Sequence, residues 1–303
     1  MGEIMFGTGL RSPDGVAEFA RRAEDLGFDV LGCGEHVMFH VPTANTFISL
    51  GVAAGATSRI RLLSAVVLLP LYPAALAAKM GAALDVASGG RYLFGVGVGG
   101  EYPKEFEACG VPVRERGART NEALDVIRRL WTGRDVSYEG RFNTLSDFSI
   151  DPMPVQSPPP IWVAGRRDAA MRRAARFGDG WLPYMYTPEQ LAASTGKIRA
   201  FGEEAGRDLA GFRFGLYIFT AVHEDGDRAR EMAVSRLSRQ YAQDFSGLVG
   251  KYALAGTPAE VQARLREYVD AGASMVMLSS ACPDDWIDEN IRLVAEEVIP
   301  AFR

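Results

Sequence analysis

Eight short apolar runs, each followed by one or more stretches with apolar residues at helical spacing, divide these 303 residues from end to end. The runs lie at 4–7, 28–32, 60–69, 92–98, 161–164, 180–182, 212–222 and 274–278. The run at 60–69 is almost wholly apolar, as expected of a parallel strand buried on both faces. The stretch at 13–26 shows why the intervening segments read as helices. Val16, Phe19, Ala20, Ala23 and Leu26 share one face, Pro13 suits a first turn, and Gly27 ends the pattern. Such alternation builds a parallel sheet with helices on its faces, either closed into a barrel or open and doubly wound. Eight repeats favour the closed form, an α/β fold of the (β/α)8 TIM-barrel type. The rhythm breaks once, after the fourth βα unit. There 136–150 reads as a hairpin turning at Gly140, and 151–160 as a Pro-rich extended segment. Alternation resumes at once, so this is read as an insertion hairpin, and residues 1–303 are expected to form one domain.

Composition narrows the function classes. Hydrophobic residues are 48% and charged residues 23%, ordinary for a soluble globular chain. A net charge of -5 argues against a broad nucleic-acid surface. The apolar runs are too short to span a bilayer, so no membrane partner is expected. Cys33, Cys109 and Cys282 lie far apart, and His36, His40 and His223 are the only histidines. That pattern holds no zinc spacing and points to reduced thiols and a cytoplasmic location. The start, residues 1–7, lacks a basic region leading into a long apolar run, so no signal peptide is expected.

Four places could carry chemistry. Gly95, Gly97, Gly99 and Gly100 have the spacing of a dinucleotide fingerprint, but no acidic strand end follows about 20 residues later, so that reading fails. Two meanings remain: close approach of a flat ring or phosphate to bare backbone, or tight strand–helix packing. Glu35 and His36 follow the second run, where a barrel places catalytic groups. His36 could serve as a general acid or base, or be a loop histidine with satisfied hydrogen bonds. Residues 164–168, Ala164-Gly165-Arg166-Arg167-Asp168, stand before a helix and suit a phosphate. The alternative is that Asp168 caps the helix and the arginines are solvated, as is expected of Arg172, Arg173 and Arg176 further along. Gly180 and Trp181 enter the sixth run, where Trp181 could wall a pocket or belong to the core.

Taken in order, these segments resemble the luciferase-like monooxygenase superfamily, and within it the actinobacterial oxidoreductases that depend on the deazaflavin coenzyme F420. The resemblance runs through AEDLGFD at 23–29, Glu35-His36, LDVASGGR at 84–91, GVGVG at 95–99, FEACGVP at 106–112 and RGART at 116–120. It continues through PIWVAG at 160–165, AARFGDGW at 174–181 and GTPAEV at 256–261. It implies a barrel with a flavin-type ring at its C-terminal mouth, beside His36 and Glu35. Ser64, Ala65 and Val66 would stand behind the ring, with a non-prolyl cis peptide at Ala65–Val66, give or take one bond. Gly97, Gly99, Gly180 and Trp181 would also contact the cofactor, and Ala164, Gly165 and Arg166 would hold its phosphate. The sequence departs from the pattern in three places. Gly100 stands where relatives often have tryptophan, which suggests a roomier floor. Ala164 replaces a frequent glycine. Val37 replaces the second histidine of flavin-dependent luciferases, which favours hydride transfer with F420 over oxygenation with reduced FMN. A non-catalytic flavin-binding barrel is the third reading. A small-molecule substrate and a homodimer are expected, with no metal.

Overall fold

The computed structural model describes residues 4–10 and 12–303; Met1, Gly2 and Glu3, part of the start read above, and Arg11 lie outside the described residues. Eight parallel strands close on themselves: β1 (Met5–Gly9), β2 (Val30–Cys33), β3 (Arg61–Ser64), β4 (Tyr92–Gly97), β5 (Ile161–Ala164), β6 (Gly180–Leu182), β7 (Arg213–Val222) and β8 (Met275–Ser280). Each pairs in parallel with the next, and β8 returns to β1 with Val276 opposite Phe6. The fold is therefore a (β/α)8 TIM barrel. Outside it lie α1 (Val16–Asp25), α2 (Thr46–Ala56), α3 (Ala74–Ala87), α4 (Arg116–Thr132), α5 (Asp168–Phe177), α6 (Pro188–Glu204), α7 (Gly226–Tyr241), α8 (Pro258–Asp270) and α9 (Ile287–Leu293).

Local chemistry sets these boundaries. α6 and α8 open with one device: Thr187 and Thr257 each complete a capping box, with Gln190 and Glu260 at the third helical position and proline at the first. The insertion hairpin pairs Val136–Glu139 with Thr144–Phe148. Glu122 of α4 anchors its turn by accepting from the N–H groups of Arg141, Phe142 and Asn143 and from the Asn143 amide.

Three elements depart from the sequence expectation. The third run is not one strand. β3 stops at Ser64 and the chain resumes at Val67–Leu68 against β4, while the Ala65–Val66 peptide between them is cis, as the resemblance implied. The helix expected over 227–248 ends at Tyr241, because Ala242 takes a left-handed conformation. A short turn at Val249–Tyr252 then leads into an unforeseen strand, Ala253–Gly256, lying against the outer half of β7. The closing helix passes through a π turn at Val294–Val298 into a 3-10 turn, where Pro300 has no N–H to give.

The core has two layers. Phe6, Leu31, Phe94 and Trp131 pack between strands and helices. Val30, Leu63, Leu93, Trp162, Leu182, Met275 and Met277 fill the barrel itself. Burying each large side chain contributes about 2–3 kcal/mol. Trp162 fits because its neighbours are bare: a Cβ on Gly180 would lie 2.5 Å, and one on Gly215 3.0 Å, from its ring. The interior is thus closed by side chains, and open space remains where the strands end.

Candidate active site

A cleft of about 670 Å³ opens at the C-terminal ends of the strands. Loops following β2, β3, β4, β5 and β6 contribute to it, together with side chains of α7, β7 and β8.

Glu35 and His36 leave β2 together but do different work. Glu35 is 6% exposed. Its carboxylate accepts from the N–H of Leu68 (3.0 Å), the N–H of Thr46 (3.3 Å) and the hydroxyl of Tyr72 (3.1 Å). It borders the cleft, yet these bonds tie the loop to the resumed third strand and to the start of α2. Burial pushes its carboxyl above the usual range against those hydrogen bonds, and the nearby Glu105 adds to the rise. His36 turns its ring into the cleft. Its Nδ1 lies 3.2 Å from both oxygens of Glu105, which is 1% exposed and also accepts the Val37 N–H at 3.1 Å. Phe39 stacks on the imidazole at 4.3 Å and 15°. The ring is therefore fixed by edge and by face. With Nδ1 held by a carboxylate, Nε2 is left for a ligand, as acceptor when neutral and donor when protonated.

Ala65 and Val66 line the cleft after β3, and Gly97 and Gly99 line it after β4. The packing reading of the glycine cluster holds, and the cluster also borders the cleft. A Cβ on Gly97 would lie 2.6 Å from Val66, and one on Gly99 would press on Phe106 and Leu68, while the backbone itself faces open space. Ser64, expected at the cofactor, does not border the cleft. It is fully buried, and its Oγ accepts the Gly95 N–H at 2.7 Å and donates to the Gly95 carbonyl at 2.9 Å.

After β5 the cleft becomes cationic. Ala164, Gly165, Arg166 and Arg167 border it, with Gly165 at φ 123°. Arg167 occupies the cap position of α5 and makes no side-chain cap bond. Asp168 does not cap this helix: it is the first helical residue and pairs with Lys197 at 3.1 Å. The uncapped helix end, with Ala169 and Ala170, therefore faces the cleft. Arg173 corrects the sequence reading. It is not solvated but 7% exposed, and it lines the cleft. Its Nε donates to the Asn121 side-chain oxygen at 2.7 Å and its Nη2 to the Gly117 carbonyl at 3.3 Å. Among the described residues no carboxylate is bonded to it, and burial lowers its pKa to about 10. Arg116 borders the same region. The space beside Gly100 is taken by the Arg116 side chain, 3.0 Å from where a Cβ would stand, so Gly100 does not widen the floor.

Gly180 and Trp181 also lie off the cleft. Gly180 makes room for Trp162. Trp181 is fully buried, and its Nε1 donates to the Gly165 carbonyl at 2.8 Å, supporting the cationic loop from below. Sequence reasoning misread Arg173 as solvated and did not single out Glu105, Arg116, Tyr184, Tyr217 or Tyr241 as site residues. A signal existed for Arg173: with Ala170, Ala174 and Phe177 it occupies the buried stripe of α5. Glu105 offered none, since only the fold brings 105 to 36.

A parallel barrel with a histidine–carboxylate pair and a cationic loop at its C-terminal mouth is a small-molecule barrel by architecture. Within that class the chain belongs to the luciferase-like monooxygenase family, whose sequence pattern matches residues 4–275. An uncharacterized protein of Mycobacterium tuberculosis is 36% identical over 166 residues, which cover 55% of this chain and 57% of that one. The chain thus spans little more than half the length of this relative. The F420-dependent glucose-6-phosphate dehydrogenase of Kineococcus radiotolerans is 26% identical over 96% of this chain and 94% of its own. Among solved structures, the monooxygenase RslO1 from Streptomyces bottropensis superposes with a TM-score of 0.88 at 27% identity, covering 99% of this chain and all of that one. Among the described residues no helix is long and apolar enough to cross a membrane.

Proposed function

We propose that residues 1–303 act as one oxidoreductase domain that uses a deazaflavin of the F420 type to transfer a hydride to or from a small organic molecule. The observation that carries this reading is Arg173: a buried cation bonded to the neutral oxygens of Asn121 and Gly117, in a cleft that also holds an uncapped helix end. Such a place suits the phosphate of a flavin-type cofactor. Gly165, Ala164, Arg166 and Arg173 would hold that phosphate, and Arg114, Arg116 and Arg167, on the same cleft, would meet acidic groups beyond it. Ala65, Val66, Gly97 and Gly99 would lie along the ring. Bound there, a deazaflavin supplies two-electron hydride chemistry.

The protein's own part is positioning and proton handling. His36 Nε2 gives a proton to, or takes one from, the substrate oxygen as the bond order at the reacting carbon changes. Glu105 sets the tautomer through Nδ1. Glu35 holds the loop that carries His36. All three cysteines are free thiols, in keeping with a reducing compartment, and we place the protein in the cytoplasm, as a homodimer. Oxygenation with reduced FMN is the second reading, favoured by the likeness to RslO1. Titrating the purified protein with deazaflavin and with FMN separates the two. Tighter deazaflavin binding supports hydride transfer, and tighter FMN binding transfers the assignment to oxygenation.

A further inference from the structure

One part of the cleft is not used by the cofactor reading above. It lies over the arc β7–β8–β1–β2, between α7 and the loop at 37–44, and its walls are aromatic. Phe39 meets Tyr241 at 6.1 Å and 85°, Tyr241 meets Phe219 at 6.0 Å and 75°, and Phe219 meets Tyr217 at 5.8 Å and 82°. All four rings border the cleft. This edge-to-face chain leaves ring faces and edges for a further flat ring to pack against. Polar groups are few and grouped. The Tyr217 hydroxyl donates to Ser279 Oγ at 2.9 Å. Arg236 and Gln240 stand four residues apart on one face of α7, next to Tyr241, and both border the cleft. Two glutamates also border it. Glu35 is committed to its three donors, and Glu101 is bonded by Tyr184, whose ring lies under the Arg166 guanidinium at 4.8 Å. Arg236 has interactions of its own, and a guanidinium with five donors can serve a ligand as well.

We infer that this compartment is the substrate site of the reaction proposed above, and that it takes a planar aromatic compound bearing an acidic oxygen substituent. The ring lies among Phe39, Tyr241 and Phe219, and the acidic group meets Arg236 and Gln240. Arg236 and Tyr241 are the residues that set specificity. A sugar phosphate fits badly, because its hydroxyls would face rings with few partners. A flexible alkyl chain would lose its rotamer freedom without gaining ring contacts.

The inference rests on the proposed function only for the name of the site; the pocket itself is tested directly. Calorimetric titrations of the full chain use 2-naphthoate, naphthalen-2-ylmethanol, cyclohexanecarboxylate and glucose 6-phosphate as probes, with and without saturating deazaflavin. 2-Naphthoate should bind at least about tenfold more tightly than cyclohexanecarboxylate or glucose 6-phosphate. Arg236→Gln should weaken 2-naphthoate by about tenfold and naphthalen-2-ylmethanol by less than about twofold. Phe39→Leu, on a surface loop, should weaken both naphthalene ligands and spare cyclohexanecarboxylate, and it carries the test if Arg236→Gln does not fold. Equal or tighter binding of cyclohexanecarboxylate, or of glucose 6-phosphate once deazaflavin fills the cationic loop, overturns the inference. So does 2-naphthoate binding that neither variant alters. Naphthoate binding of the expected pattern in a protein that takes up no deazaflavin would instead remove the cofactor reading and leave the aromatic site standing.

Discussion

Replacing Arg173 by methionine keeps an unbranched stem in α5 and removes the charge. The guanidinium is buried, and its hydrogen bonds go to the side chain of Asn121 and the carbonyl of Gly117, both neutral. Burial lowers its pKa to about 10. That fall corresponds to about 3 kcal/mol by which the site opposes the charge. The substitution relieves this but strands two acceptors, at a cost of about 1–3 kcal/mol. The two nearly cancel, so without ligand the melting temperature should move by no more than about 4 °C. An anion changes the comparison. A hydrogen bond to a charged group contributes about 1.5–3 kcal/mol, so Arg173→Met should weaken phosphate and cofactor roughly 10- to 100-fold. Thermal unfolding across a phosphate series measures both effects. At about 100 times its Kd, phosphate should stabilise the parent protein by about 2.7 kcal/mol, while the variant needs far more to match it. Equal stabilisation of both proteins by phosphate would show that Arg173 meets no anion. A variant that melts far below the parent without ligand would show that the arginine is there for the fold.

Four other substitutions or conditions test the neighbouring claims. His36→Ala should lower turnover by about 10²–10⁴-fold with cofactor affinity nearly kept, and unchanged turnover removes His36 from the reaction. Glu105→Gln retains an acceptor for Nδ1 but not the charge; kcat should fall with KM and cofactor affinity nearly kept, and an unchanged kcat denies Glu105 its positioning role. Burial acts to raise the Glu122 carboxyl, but bonds from the Asn143 amide and the N–H groups of Phe142, Asn143 and Arg141 together hold it below its ordinary 4.5. The stability it gives is complete above that ordinary value and lost as pH falls through the lower folded one, so protection of the amides at 141–143, corrected for intrinsic exchange, should fall as pH drops below 4.5 in the parent and not change in Glu122→Gln. Gly180→Ala drives a methyl to within 2.5 Å of the Trp162 ring and should cost about 1–3 kcal/mol by denaturant unfolding; a neutral result means that the barrel interior gives way more easily than its packing indicates.

What could be read in advance followed from local physics. The eight runs carry strand signals that need no partner to be seen, and the insertion hairpin declared itself through Gly140 and the prolines after it. The loop at 164–167 was legible because helix starts and glycines have local meanings. The parts that escaped depend on distant residues. Trp181 looked equally like a pocket wall and a core residue, and only its bond to Gly165, from a neighbouring strand, decides for the core. Glu35 and His36 looked like one catalytic pair until the partners of Glu35, at 46, 68 and 72, showed it to be a tie between loops. The strand at Ala253–Gly256 is four residues long, too short for periodicity to distinguish from the end of a helical region.

β7 has three partners along its ten residues. Arg213 and Phe214 pair with β6, Gly215–Thr220 with β8, and Phe219–Val222 with Ala253–Gly256. Val222 stands opposite Gly256, and the His223 N–H donates to the Gly256 carbonyl. The chain therefore leaves β7 and comes back to the same strand end, and α7, the bend at Ala242 and the turn at Val249–Tyr252 make a circuit that starts and finishes at one point. Residues 226–252 form an exchangeable cassette. A replacement that returns to Ala253 leaves the pairings that close the barrel intact, and each doubling of its length costs only about 0.6 kcal/mol in closure entropy. Arg236, Gln240 and Tyr241 are inside the cassette, whereas His36, Glu105, Gly165 and Arg173 are outside it. Replacing this segment should therefore change one wall of the cleft while leaving the histidine–carboxylate pair and the cationic loop in place.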